Sequence, residues 1–408
     1  MAKKELTIDD VNEALKKFAE NEKNLDEKNP YLKNDGEFFD KIVGEFCKSL
    51  KSENSNEDFS WLEKFGVISE GEKYKSNVNY AMPTHVHGDY KNGLIYLCLK
   101  NPGIQIDDKE IHDNIKSYYK NLANKIEISL SKNDEQSDYY FYEQMDLEIK
   151  DNYKDLDKEM VKEYIYDENT SILTKELVKI KHYLKTHEFD KKWNKLEKKD
   201  ELTRNIYYIW TYFKPLLEIT DEKIKNSNYL NNHNLSDDYK LYGEGKDKAE
   251  IVTTNKVVNI ELCPFRSKNA DAVKKLSKTD YGMFSAYIIL YRIGKYLNDL
   301  DEFKNDERKY LEKPVFIFRS YGEWYKKMSK CLKEIIKNEK SIKLTDKIEE
   351  EYFNRLRLDY FYTFPNRGAR ISQNNLRKFV SDEEFDGIKG LISKENWKNK
   401  YILSFLKL

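Results

Sequence analysis

From residue 250 to 364 short apolar runs and long amphipathic ones take turns, and this alternation constrains the fold more than any other feature. The runs "AEIVTTNKVVNIELCPF", "KPVFIFRS" and "RLDYFYTFPNRG" read as strands, and "DAVKKLSKTDYGMFSAYIILYRIGKYL" and "GEWYKKMSKCLKEIIKN" between them read as helices. Strand, helix, strand, helix, strand predicts an α/β fold with a mainly parallel sheet and helices on its faces. An earlier run, "NGLIYLCLKNPGIQ", carries no charge from Leu94 to Leu99 and adds one more strand. Ligands of such sheets bind in the loops beyond the carboxyl ends of the strands. Each strand here ends on an unusual sequence: "KNPGIQ", "CPFRSKN", "RSYGEW" and "FPNRGARISQNN".

The rest of the chain decorates that core. At 408 residues it exceeds what one compact core holds, so a heavily elaborated domain is expected. Apolar spacing in "VNEALKKFAE" and "EFFDKIVGEFCKSL" predicts a helical N-terminal region over 1–80. The α/β core then spans 81–106 and 250–395, starting in the turn-rich "NYAMPTHVHGDYKNG". Between its first two strands lies a helical insertion, 107–249, with runs such as "SILTKELVKIKHYLKTHEFDKKWNKL" and "ELTRNIYYIWTYFKPLLEI". With 36% charged residues and no uncharged apolar run near ~18 residues, neither a membrane span nor a secretory leader is expected. Cys47, Cys98, Cys263 and Cys331 show no metal-like spacing, which suits reduced thiols and a cytoplasmic setting. A net charge of -1 gives no global attraction to DNA, so nucleic-acid binding requires a local basic patch.

Two strand ends carry the candidate chemistry. Pro102 fixes its own φ and holds Asn101 extended, while Gly103 brings bare backbone close to a ligand, although Asn-Pro-Gly is also an ordinary turn. In "FPNRGARISQNN", Arg367, Arg370, Ser372 and the amides around them suit phosphates, or else cap the helix that follows. In "VVNIELCPF", Asn259 and Glu261 interrupt an apolar strand and share one face. A carboxylate there is either functional or paired, with Arg266 or Arg319 as the candidate partner.

These segments, "LIYLCLKNPG", "VVNIELCPFRS", "PVFIFRS" and "FPNRGARISQ", resemble the uracil-DNA glycosylase superfamily in order and local context. The first looks like the Gly-x-Asn-Pro-Gly motif of its thymine-DNA and single-strand-selective branches, and the last is similar to the Arg-bearing loop of the thymine-DNA branch. The resemblance implies a three-layer α/β/α fold and hydrolysis of an N-glycosidic bond after base flipping, without a cofactor or a metal. It implies that Asn101 orients the attacking water, that Gly103, Gln105, Asn259 and Glu261 surround the base, and that Arg370 wedges the minor groove. Asn366, Arg367 and Ser372 would hold DNA phosphates. The resemblance covers roughly 80–110 and 250–380. Leu99 and Lys100 depart from the residues that usually precede the Asn, and Phe364 stands where the uracil enzymes have His.

Gly103 occupies the position where strict uracil enzymes place a Tyr that excludes a 5-methyl group. The expected substrate is therefore a pyrimidine with a bulky C5 group, such as glucosylated hydroxymethylcytosine of phage DNA, excised in antiviral defence. Glu261 suits the amine of a cytosine-like edge. The alternative is a non-catalytic DNA- or nucleotide-binding module on the same scaffold, since an amide at Asn101 cannot act as a base. Lesser signals have bland readings. His85 and His87 would point the same way in an extended segment, but no third metal ligand has a defined spacing. Asp107 and Asp108 fit a helix start as well as a general base. Tyr207, Tyr208, Trp210, Tyr212 and Phe213 fit core packing better than base stacking.

Overall fold

The computed structural model describes residues 6–33, 36–51, 83–100, 158–176, 208–213, 256–264, 280–302, 313–340 and 344–364. Seven helices carry labels here: α1 (Ile8–Glu20), α2 (Glu22–Asp26), α3 (Glu37–Lys51), α4 (Lys158–Ile165), α5 (Asp280–Glu302), α6 (Tyr321–Lys340) and α7 (Asp346–Asp359). Among the described residues six strands join one sheet: β1 (Val86–His87), β2 (Ile95–Leu99), β3 (Tyr166–Asp167), β4 (Val257–Glu261), β5 (Val315–Phe318) and β6 (Phe361–Thr363). Their spatial order is β3-β1-β4-β2-β5-β6. β4, β2, β5 and β6 are mutually parallel, while β1 pairs antiparallel with β4 and parallel with β3. The class is thus α/β with a mixed, mostly parallel sheet, as the alternation predicts.

Alternation along the strands divides the sheet into two unlike faces. Tyr96, Cys98, Val258, Ile260, Phe316, Phe318 and Phe361 join the main apolar cluster with residues of α1, α5, α6 and α7. α1 presents Ile8, Val11, Ala14, Leu15, Phe18 and Ala19 at helical spacing, and Thr7 and Asp10 form a capping box at its start. It lies so close to α5 that a Cβ on Gly294 would sit 2.3 Å from the Leu15 carbonyl oxygen. The N-terminal helix is therefore built into the core.

The opposite face has a different character. In register across it run Asp167, His87, Asn259, Leu97, Ile317 and Tyr362, so three apolar residues follow three polar ones.

Three expectations need correction. "RLDYFYTF" is not all strand: α7, capped by Thr345, continues through Asp359 because Tyr352, Phe353 and Leu356 bury at helical spacing, and β6 begins at Phe361. The stretch read as turn-rich holds β1, paired with β4 on one side and β3 on the other. The insertion is not wholly helical, since its Tyr166–Asp167 supplies β3, the edge strand. Residues 250–255, read as part of a strand, lie outside the described residues. No helix among the described residues is long and apolar enough to cross a membrane.

Candidate functional site

Topology selects one end of the sheet. Of the four parallel strands, β2 comes first in the chain, its successor β4 lies on one side of it, and β5 and β6 lie on the other. The chain thus reverses direction beside β2, and in such sheets the ligand crevice opens at that reversal, beyond the carboxyl ends. The strands end together there. Leu262 N–H donates to the Leu99 carbonyl, Cys263 N–H to the Lys100 carbonyl and Arg319 N–H to the Cys98 carbonyl, each at 2.8–3.0 Å. Lys100 and Arg319 thus bring two cations to adjacent strand ends. Ser320, the next residue, is exposed and holds φ 65° in the turn from β5 into α6, a conformation costly for a residue with a side chain.

Two residues inward from that edge the polar side chains of β4 are buried. Asn259 is 4% exposed and Glu261 0%. Glu261 Oε1 accepts from the Tyr208 hydroxyl at 3.4 Å, and Arg319 Nη1 donates to the Tyr212 hydroxyl at 3.0 Å. Arg266, the other candidate partner of Glu261, lies outside the described residues. Both tyrosines belong to a short helical segment that includes a π-helical turn, Ile209–Phe213. Two of its amides are held by Glu176, whose carboxylate accepts from Tyr208 N–H at 2.8 Å and Ile209 N–H at 2.6 Å. The aromatic segment read as core packing does bury Tyr212, yet its hydroxyls also reach the candidate site.

Asn259 differs from its neighbours. Both its Oδ1 and its Nδ2 are buried without a hydrogen-bond partner, and among the described residues no other side chain has both polar atoms so placed. Leaving a buried polar group unpaired costs about 1–3 kcal/mol, which native proteins rarely tolerate without a use for it.

The two histidines do not converge. His85 Nδ1 lies 2.8 Å from the Tyr31 hydroxyl and Nε2 2.8 Å from Ser285 Oγ, which itself reaches the Glu261 carbonyl at 2.9 Å. It ties the N-terminal region, α5 and β4 together. His87 Nε2 instead meets the Tyr164 carbonyl at 2.9 Å. Burial pushes the His85 pKa down to about 3 and lowers that of His87 well below its usual range. Burial also raises the Cys98 thiol.

Of the residues singled out in the sequence, Asn259 and Glu261 are brought to one face at the chosen end. Asn101, Gly103, Gln105, Asn366, Arg367, Arg370 and Ser372 lie outside the described residues. Glu176, Tyr208 and Tyr212 were not identified as site residues; nothing local in the sequence marks a hydrogen bond formed 32 residues away. No protein-family model, curated protein or solved structure matches this chain.

Proposed function

We propose that the protein is a DNA glycosylase that hydrolyses the N-glycosidic bond of a flipped, C5-modified pyrimidine and leaves an abasic site. The observation that carries this reading is Asn259: a buried amide with both polar atoms unpaired, beside the buried Glu261, on a strand that ends at the reversal point of a parallel sheet. A hydrogen-bonding heterocycle drawn out of a DNA stack is a ligand that would satisfy such an amide. Lys100 and Arg319 at the adjoining strand ends suit the phosphates on either side of it.

In this reading the fold is a three-layer α/β/α sandwich, in which Tyr208 of the insertion stands on the face that bears Asn259 and Glu261. Right-handed crossovers support that placement, because the β2-to-β4 connection runs opposite in direction to those after β4. Asn101, one residue past the paired end of β2, orients the attacking water. An amide accepts no proton, so the rate enhancement rests on stabilising the leaving base and the cationic sugar. Glu261, enclosed beside Tyr208, accepts from the exocyclic amine of a cytosine-like base. Gly103 leaves room at C5, and the Arg367 and Arg370 loop grips the backbone. Excision of glucosylated hydroxymethylcytosine would place the enzyme in defence against phage, in the cytoplasm.

An abasic-site assay tests the proposal. The wild-type protein is incubated with T-even phage DNA and with uracil-containing DNA, then with alkali, and strand breaks are counted. Breaks in phage DNA, lost in Asn101→Ala, are expected. Breaks in uracil DNA alone would overturn the C5-modified substrate, and binding without breaks on either DNA would favour the non-catalytic module.

A further inference from the structure

His87 stands opposite Asn259 as its partner across the β1–β4 pair, so the two side chains leave the same face about 5 Å apart at their Cβ atoms. His87 is 1% exposed. Its Nε2 faces the Tyr164 carbonyl, which can only accept, so Nε2 carries the ring proton. Burial, followed by the nearby charge of Lys175, keeps the ring neutral. Nδ1 is then a bare acceptor, and it is buried with no hydrogen-bond partner. The Glu163 carbonyl also lies close to the ring and, like that of Tyr164, opposes the lowering of its pKa.

The pair therefore offers unpaired atoms of two kinds. The Asn259 amide can rotate and present either its oxygen or its nitrogen to a ligand, so alone it reads a base edge with either polarity. His87 cannot do this: the backbone carbonyl on Nε2 fixes Nδ1 as an acceptor. We infer that His87 and Asn259 together read the edge of the bound base, with His87 Nδ1 accepting from an exocyclic amine and so selecting amino-bearing over keto-bearing pyrimidines. A keto oxygen set against Nδ1 would bring two lone pairs together. The inference rests on the glycosylase reading for the nature of the ligand and adds a specificity-determining residue from outside the four motif segments.

The test uses the full chain and two oligonucleotides that differ only in that edge. Each is a single strand with one central 2′-fluoro nucleotide, which resists hydrolysis. In one the base is 5-hydroxymethylcytosine and in the other 5-hydroxymethyluracil. Wild type is expected to bind the cytosine probe more tightly by about tenfold or more, and His87→Leu to show a smaller preference, since Glu261 accepts from the same amine. Equal affinity of wild type for the two probes, no binding of either, or an undiminished preference in folded His87→Leu would overturn the inference and leave the polar atoms holding an internal water only.

Should His87→Leu fail to fold, histidine-15N spectra of wild type give the answer. A non-protonated Nδ1 signal should shift with the cytosine probe and not with the uracil probe; the absence of any histidine signal that distinguishes the probes would overturn the inference. Base release from DNA without the preference would sink this inference and spare the glycosylase reading. The preference without base release would do the reverse.

Discussion

Asn259 and His85 are both buried polar residues, yet they relate to stability in opposite ways. Asn259 has no bond to lose. Replacing it with Leu removes a desolvated amide, so Asn259→Leu should unfold at equal or higher denaturant concentration, by up to about 2 kcal/mol, while DNA processing is lost. A destabilised Asn259→Leu would show the amide to be part of the structural framework. His85, bonded at both ring nitrogens, is held neutral down to about pH 3 mainly by burial. Its folded pKa lies below its unfolded value of about 6.5, so the stability it contributes is complete above about pH 6.5 and falls as pH drops toward about 3. Each such histidine costs about 1.4 kcal/mol per pH unit within that window. Urea midpoints between pH 7 and 4.5 should therefore decline, and less steeply in His85→Gln; identical slopes would remove His85 from this role.

At the scale of elements, the contact between α1 and α5 joins the N-terminal region to the sheet. Gly294 permits it, because a Cβ there would meet the Leu15 carbonyl. Ala is the better helix former by about 1 kcal/mol, yet the overlap is with backbone and cannot be relieved by a rotamer change. Gly294→Ala should thus destabilise by about 1–3 kcal/mol in denaturant titration, and a gain in stability would mean that α1 is loosely held. Helices α1, α3, α5 and α6 were legible in the sequence because their apolar residues recur over several turns. β2 and β5 were legible as uninterrupted apolar runs, and β4 as one broken by Asn259 and Glu261. β1 and β3 were not, since two residues have no period and their pairing is set by distant segments. The end of α7 was hidden because "RLDYFYTF" carries aromatics that serve helix and strand equally.

For the molecule as a whole, a sheet with one apolar and one partly polar face separates structural from functional demands. The face under α5 and α6 holds the core; the other carries Asp167, His87 and Asn259 in one row and Glu261 beyond them. Asn259 and Glu261 could be found in the sequence because they break an apolar strand. Their surroundings could not, because Glu176, Tyr208 and Tyr212 meet β4 and Arg319 only through the folded chain. The most direct measurement of the central claim is mass-spectrometric detection of free base after incubation of the protein with T-even phage DNA. The account predicts release of a C5-modified pyrimidine, one for each abasic site formed, by wild type and not by Asn259→Leu. No free base from phage DNA at any enzyme concentration would contradict it.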